Sequence, residues 1–204
     1  MTNEDLVAGL IASGTLTTPE IMEAFRVIDR RRFVDEEWVQ EAYHDYPLPI
    51  SATATISQPT TVAFMLELLQ VKAGDHVLDV GSGSGWTTAL LSQLAGPKGS
   101  VVGVELDPEL VSQSQERLSF FRFPNARIVQ ASEELGYPPD APYQKILVSA
   151  SAITLPQELV DQLAPSGRMV IPVGTSIIRV DKLEDTHIET EEFPGFAFVP
   201  LYES

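Results

Sequence analysis

Apolar residues recur at helical spacing at Ile21, Phe25 and Ile28, and again at Val62, Met65, Leu66 and Leu69. Spacings of three and four residues put side chains on one face of a helix. Between such stretches lie short unbroken apolar runs: Val77-Leu78-Asp79-Val80, Val101-Val102-Gly103-Val104, Ile128-Val129, Ile146-Leu147-Val148 and Met169-Val170-Ile171. Runs of that length, bounded by turn residues, fit strands buried on both faces. Helices are predicted from about Glu4 to Ala12 with Gly14 behind it, from Thr18-Pro19 onward, after Pro59, after the glycines at 81–85, from about Pro108 to Leu118 and from about Pro156 to Leu163. Strands and helices alternate, which predicts an α/β fold: a Rossmann-like three-layer α/β/α sandwich, its sheet mainly parallel and covered by helices on both faces. After Gly174 the strand-like stretches Ile177-Ile178-Arg179-Val180 and Phe196-Ala197-Phe198-Val199 follow without a helical pattern between them, so the C-terminal strands should include an antiparallel pairing. Residues 46–59 hold three prolines and a string of hydroxyls and read as an irregular loop, long enough to be functional. Arg30, Arg31 and Arg32 read as a solvated face beyond the second helix.

Composition narrows this picture. With 204 residues and 44% hydrophobic positions the chain suits a single domain, in which residues 1–60 supply N-terminal helices and a loop and 61–204 the sheet. Thirteen Lys plus Arg against 29 Asp plus Glu leave a net charge of −16, a field that repels nucleic-acid backbones and anionic lipid, so neither partner is expected. Cysteine is absent and the three histidines, His44, His76 and His187, show no paired ligand spacing, so no metal site is predicted. Glu4 and Asp5 stand where a secretory signal would carry positive charge, and no apolar run approaches the roughly 20 residues that span a bilayer. A cytoplasmic monomer is the expectation.

The chemistry centres on Gly81-Ser82-Gly83-Ser84-Gly85 at the end of the first buried strand. In an open α/β sheet, ligands bind beyond the carboxyl ends of the strands, where a glycine-rich turn lets them approach the backbone. A dinucleotide fingerprint would want a small residue where Trp86 stands, and a P-loop would want lysine where the chain continues Trp86-Thr87-Thr88. Glu105 closes the second strand roughly twenty residues past the loop, the place of a carboxylate that accepts ribose hydroxyls. S-adenosylmethionine has a ribose, no phosphate and an ammonium group, and suits a plain glycine turn flanked by Asp79 and Glu105. The alternative is a tight strand-to-helix turn with two strand-end acids facing water.

Joined to this loop are Thr55-Ile56-Ser57-Gln58-Pro59 upstream and Leu163-Ala164-Pro165-Ser166-Gly167-Arg168-Met169-Val170-Ile171-Pro172-Val173-Gly174 downstream. Together they resemble the protein-L-isoaspartate O-methyltransferase family, and the resemblance extends through Ala24-Phe25, Arg32-Phe33-Val34, Ala42-Tyr43, Pro47-Leu48-Pro49-Ile50 and Phe198-Val199-Pro200-Leu201. It implies a sheet of the class I methyltransferase type and methyl transfer from S-adenosyl-L-methionine to the free α-carboxylate of isoaspartyl residues in damaged proteins or peptides. It further implies Ser57, with Thr55 beside it, as the residues that hold the acceptor, and Asp79, Gly81, Ser82, Gly83, Gly85, Glu105, Leu106 and Ser132 around the cofactor. Tyr43, Pro47 and Ile50 are candidates for the acceptor groove. Where the family has Gly-Asp-Gly after the third strand this chain reads Ala131-Ser132-Glu133; Gln144 replaces a common aspartate, Ser51 a glycine and Ala54 a frequent glutamine. A related methyltransferase with another acceptor, and a non-catalytic binding module of the same fold, remain as alternatives.

Overall fold

A computed structural model describes residues 1–184 and 187–202. Helix α1 (Asn3–Ala12) begins with a reciprocal cap, in which the Thr2 hydroxyl accepts from Asp5 N and the Asp5 carboxylate accepts from Thr2 N. Pro19 opens α2 (Pro19–Val27), whose Ile21 and Phe25 are buried. Thr18 does not cap that helix with its side chain; its hydroxyl donates instead to Glu67 Oε2 at 2.6 Å, while Thr17 N and Thr18 N donate to Oε1.

Segment 46–59 is more ordered than its composition suggests. Strands β1 (Leu48–Pro49) and β2 (Thr55–Ile56) pair antiparallel, and the Ser51 hydroxyl closes the turn by accepting from Thr53 N and Ala54 N. Helix α3 (Pro59–Leu69) follows, burying Val62, Met65, Leu66 and Leu69 as the spacing predicts.

The chain then lays down β3 (His76–Val80), α4 (Trp86–Ala95), β4 (Ser100–Glu105), α5 (Pro108–Ser119), β5 (Ala126–Gln130), β6 (Tyr143–Val148), α6 (Gln157–Asp161), β7 (Leu163–Val173), β8 (Ser176–Lys182) and β9 (Ile188–Pro194). The main sheet has the order β5-β4-β3-β6-β7-β8-β9, parallel from β5 to β7 and antiparallel at its two last pairings. Successive strands step outward in opposite directions from β3, which opens a crevice beyond its carboxyl end. Helices α3, α4 and α5 cover one face of the sheet, with α1 and α2 in the same core. The other face is closed by α6 together with Leu135, Tyr137 and Ala141 of the β5–β6 connection.

Three expectations need correction. The helix expected to reach Leu163 ends at Asp161, because Leu163 pairs with Tyr143 in the sheet and Pro165 cannot continue a helix. The last strand is β9, a polar edge strand with five leading residues exposed, and not Phe196–Val199. That stretch crosses the carboxyl ends of the strands, Val199 O accepting from Ser151 N and Leu201 N donating to Ser151 O, both at 2.8 Å. Finally, Arg30 does not share the exposed face of Arg31 and Arg32: it is fully buried.

Candidate active site

Gly81, Gly83 and Gly85 take φ angles of +75°, +50° and +86°, left-handed values that glycine adopts without steric cost. Gly81 N and Ser82 N both donate to Val104 O, at 2.9 and 3.0 Å, so the turn is tied to the neighbouring strand. A Cβ at Gly85 would lie 3.1 Å from Ser114 Cβ and 3.2 Å from Ile128 Cδ1. Gly85 therefore seats the start of α4 against α5 and β5, and buried Trp86 can follow it directly.

Glu105 braces this loop. Its Oε2 accepts from Gly83 N at 2.8 Å, and its Oε1 accepts from Leu106 N at 2.7 Å and Asp107 N at 3.0 Å. A carboxylate offers about four lone-pair sites, so capacity for a further donor remains. Asp79 is fully buried; its Oδ2 accepts from the hydroxyls of Thr87 at 2.8 Å and Thr88 at 2.6 Å, and its Oδ1 has no partner. Burial pushes its carboxyl up to about 6, against the two hydroxyl bonds that pull it down.

A cavity of about 500 Å³ opens at the carboxyl ends of β3, β4 and β6. Gly81, Ser82, Gly83, Glu105, Leu106 and Ser132 line it together with Thr55 and Ser57. Asp79 and Gly85 do not reach it; they stand behind the loop and shape it. A second hollow of about 290 Å³ is lined by Pro47, Thr55, Ser57, Gln58, Thr61, Ser149, Ala197, Phe198 and Val199. Thr55, Ser57, Ser149 and Val199 line both. Neither lining contains Lys, Arg or His among the described residues, whereas Glu105, Asp107, Glu133 and Glu134 face the larger cavity.

Ser57 sits just before α3, yet no side chain of its own segment caps that helix. Asp45 does so from a distance: its Oδ1 accepts from Thr60 N at 2.8 Å, and its Oδ2 accepts from the Thr60 hydroxyl and the Gln58 amide. The Ser57 hydroxyl is thereby left for the cavities, while its carbonyl accepts from Arg30 Nη2 at 3.2 Å.

Of the groove candidates only Pro47 reaches the second hollow. Tyr43 donates to Asp29 Oδ2, and Ile50 is buried, its Cδ1 3.1 Å from where a Gly83 Cβ would stand. Gln144 lies at the amino end of β6, where its Oε1 accepts from His76 N, away from the site. Ser132 is exposed on the rim, its hydroxyl accepting from Glu134 N. The rim segment is held from below by buried Gln162, whose Nε2 donates to Leu135 O at 2.7 Å and whose Oε1 accepts from Tyr137 N at 2.8 Å. Ser149 and Val199 line both hollows, and neither is marked in the sequence as a site residue. Ser149 directly follows the apolar run of β6, at the strand end where crevice residues belong, and that position was the available signal.

Comparison with known proteins agrees with this architecture. The family model described as protein-L-isoaspartate(D-aspartate) O-methyltransferase matches residues 1–204. A protein-L-isoaspartate O-methyltransferase of Ignicoccus hospitalis is 41% identical over 204 residues, covering 98% of this chain and 96% of that protein. One from Pyrococcus horikoshii is 39% identical over 197 residues, covering 94% and 89%. A crystal structure from Plasmodium falciparum, assigned as a protein-L-isoaspartate O-methyltransferase and solved with S-adenosyl-L-homocysteine, superposes with a TM-score of 0.88 at 26% identity and covers 100% of both chains. With the family model matched over residues 1–204 and relatives about 40% identical along most of its length, this chain belongs to the protein-L-isoaspartate(D-aspartate) O-methyltransferase family.

Proposed function

We propose that the chain transfers a methyl group from S-adenosylmethionine to the free α-carboxylate of L-isoaspartyl residues in damaged proteins and peptides, with the cofactor in the larger cavity and the acceptor in the smaller hollow. Family membership carries the reaction class. The assignment of the two hollows rests on one observation: they share a wall made by Thr55, Ser57, Ser149 and Val199.

The larger cavity suits the cofactor. Its volume of about 500 Å³ falls within the range of small-molecule sites. Ser82, on its lining, has a buried hydroxyl without a partner, and Glu105 keeps acceptor capacity. In this reading Glu105 holds the ribose, Gly81 to Gly83 bring the backbone close, and Leu106 and Ser132 flank the base. Bound there, the cofactor supplies an electrophilic sulfonium methyl.

The chain's own task is placement. A carboxyl group with a pKa of about 4 is already an anion at neutral pH, so no general base is required. The hydroxyls of Thr55, Ser57 and Ser149 orient it without becoming nucleophiles, and the apolar surface of Ala197, Phe198 and Val199 removes water from it. The same reading takes the protein as a single-domain cytoplasmic monomer whose acidic surface disfavours nucleic acid and anionic membrane; no helix among the described residues is long and apolar enough to cross a membrane.

Ser57→Ala tests the wall. Turnover of an isoaspartyl peptide should fall by about 10- to 100-fold while S-adenosylhomocysteine still raises the melting temperature. Unchanged turnover would remove Ser57 from the acceptor site.

A further inference from the structure

Behind the shared wall lies a buried cation that touches neither hollow. Arg30 has 0% exposure. Its Nη1 donates to Ala42 O at 2.7 Å and His44 O at 3.5 Å, and its Nη2 donates to Tyr46 O and Ser57 O, both at 3.2 Å. Its guanidinium carbon stands 5.4 Å from the centroid of Trp86, the residue that opens α4, and its Nε is buried without a partner. It forms no ion pair among the described residues. The carboxylate that acts on it electrostatically, Asp45, directs its oxygens to Thr60 and Gln58 at the start of α3. Burial brings Arg30 down to about 10, so it stays charged at neutral pH.

A buried cation whose hydrogen bonds all go to carbonyls, with no carboxylate in contact, is costly. The cost becomes intelligible from what must dock in front of it. The smaller hollow offers an anion hydroxyls and an amide but no Lys, Arg or His among the described residues.

We propose that Arg30 is a positioning residue for the acceptor: it fixes the Ser57 backbone and supplies, from behind the wall, the positive potential that favours a carboxylate in the smaller hollow. This rests on the acceptor assignment above. Its consequence is selectivity for an anionic acceptor over a neutral one of the same shape.

The test uses an isoaspartyl peptide and the same peptide carrying an α-carboxamide, each as a competitive ligand of the wild type, Arg30→Met and Arg30→Lys. The wild type should prefer the carboxylate. Arg30→Met should lower that preference about tenfold, the size expected when one unit charge is removed at short range in a partly screened medium, and leave S-adenosylhomocysteine affinity within about twofold. Arg30→Lys should keep the preference while KM rises, because the charge stays and the fork of donors is lost. Equal weakening of both peptides in Arg30→Met would reduce Arg30 to a structural brace and overturn the proposal, as would no weakening of either. If Arg30→Met does not fold, loss of the preference in folded Arg30→Lys overturns it. Absence of any isoaspartyl methylation by the wild type would refute the assigned reaction instead, and the carboxylate preference would still be read from binding.

Discussion

Replacing Glu105 by Gln keeps size and shape but alters what the side chain can accept. Its two oxygens now take three backbone N–H bonds, from Gly83, Leu106 and Asp107, at 2.7 to 3.0 Å. Glutamine has one oxygen and one NH₂, so either Gly83 N or the Leu106–Asp107 pair must face a donor. Leaving such a group unsatisfied costs about 1–3 kcal/mol, which for a chain of this size lowers Tm by roughly 2–12 °C without any ligand. If Glu105 also holds the ribose, replacing the charged acceptor removes a further 1.5–3 kcal/mol or so from binding, about a ten- to hundredfold loss of affinity. Thermal unfolding of the ligand-free variant reads the first quantity, and calorimetric titration with S-adenosylhomocysteine reads the second. An unchanged Tm would refute Glu105 as the brace of the loop. Unchanged affinity would refute its ribose role, whatever happens to Tm.

Other consequences are equally direct. Asp79 has a folded-state pKa of about 6 against an ordinary 3.8, so the stabilisation it gives as a neutral acid is full below the lower value and lost as pH rises through the upper. Asp79→Asn, which mimics the neutral form, should therefore gain on the wild type by about 1–2 kcal/mol in urea unfolding between pH 5 and pH 8; a gain that shrinks with pH contradicts the burial argument. Gly85→Ala combines a left-handed φ of +86° with Cβ contacts at 3.1 and 3.2 Å, whereas Gly14→Ala has φ +75° and nothing within 4 Å. Chemical denaturation should show a loss of about 2–4 kcal/mol for the first and about 1–2 for the second, and equal losses would mean that Gly85 is not a packing contact.

The features legible in the sequence are those with strong local signatures. Positive φ at Gly81, Gly83 and Gly85 demands glycine, and the doubly buried strands β3, β4 and β6 demand apolar runs, so the loop and the parallel core could both be read directly. The position of Glu105 at the end of β4, beside the loop, was legible through its distance from the glycines, but its hold on three backbone N–H groups was not, since those bonds depend on how the turn folds back. What stayed hidden rests on tertiary contacts. Strand β9 pairs with β8 through its backbone and exposes Glu189, Thr190, Glu191 and Glu192, so no apolar alternation marks it. Arg30 adjoins two exposed arginines in sequence, and only the convergence of four distant carbonyls makes it a core residue. Ser57 resembles a helix cap until Asp45, twelve positions earlier, is seen to occupy that role.

The most direct measurement offers the enzyme, with S-adenosylmethionine, two peptides that differ only in whether one residue is L-isoaspartyl or L-aspartyl, and follows methyl ester by mass and by its lability to mild base. Methyl transfer to isoaspartyl carboxylates requires a base-labile ester on the isoaspartyl isomer, little or none on the aspartyl isomer, and ester formation slowed by about 10- to 100-fold in Ser57→Ala. Cofactor binding without ester on the isoaspartyl peptide, or equal methylation of both isomers, would contradict it.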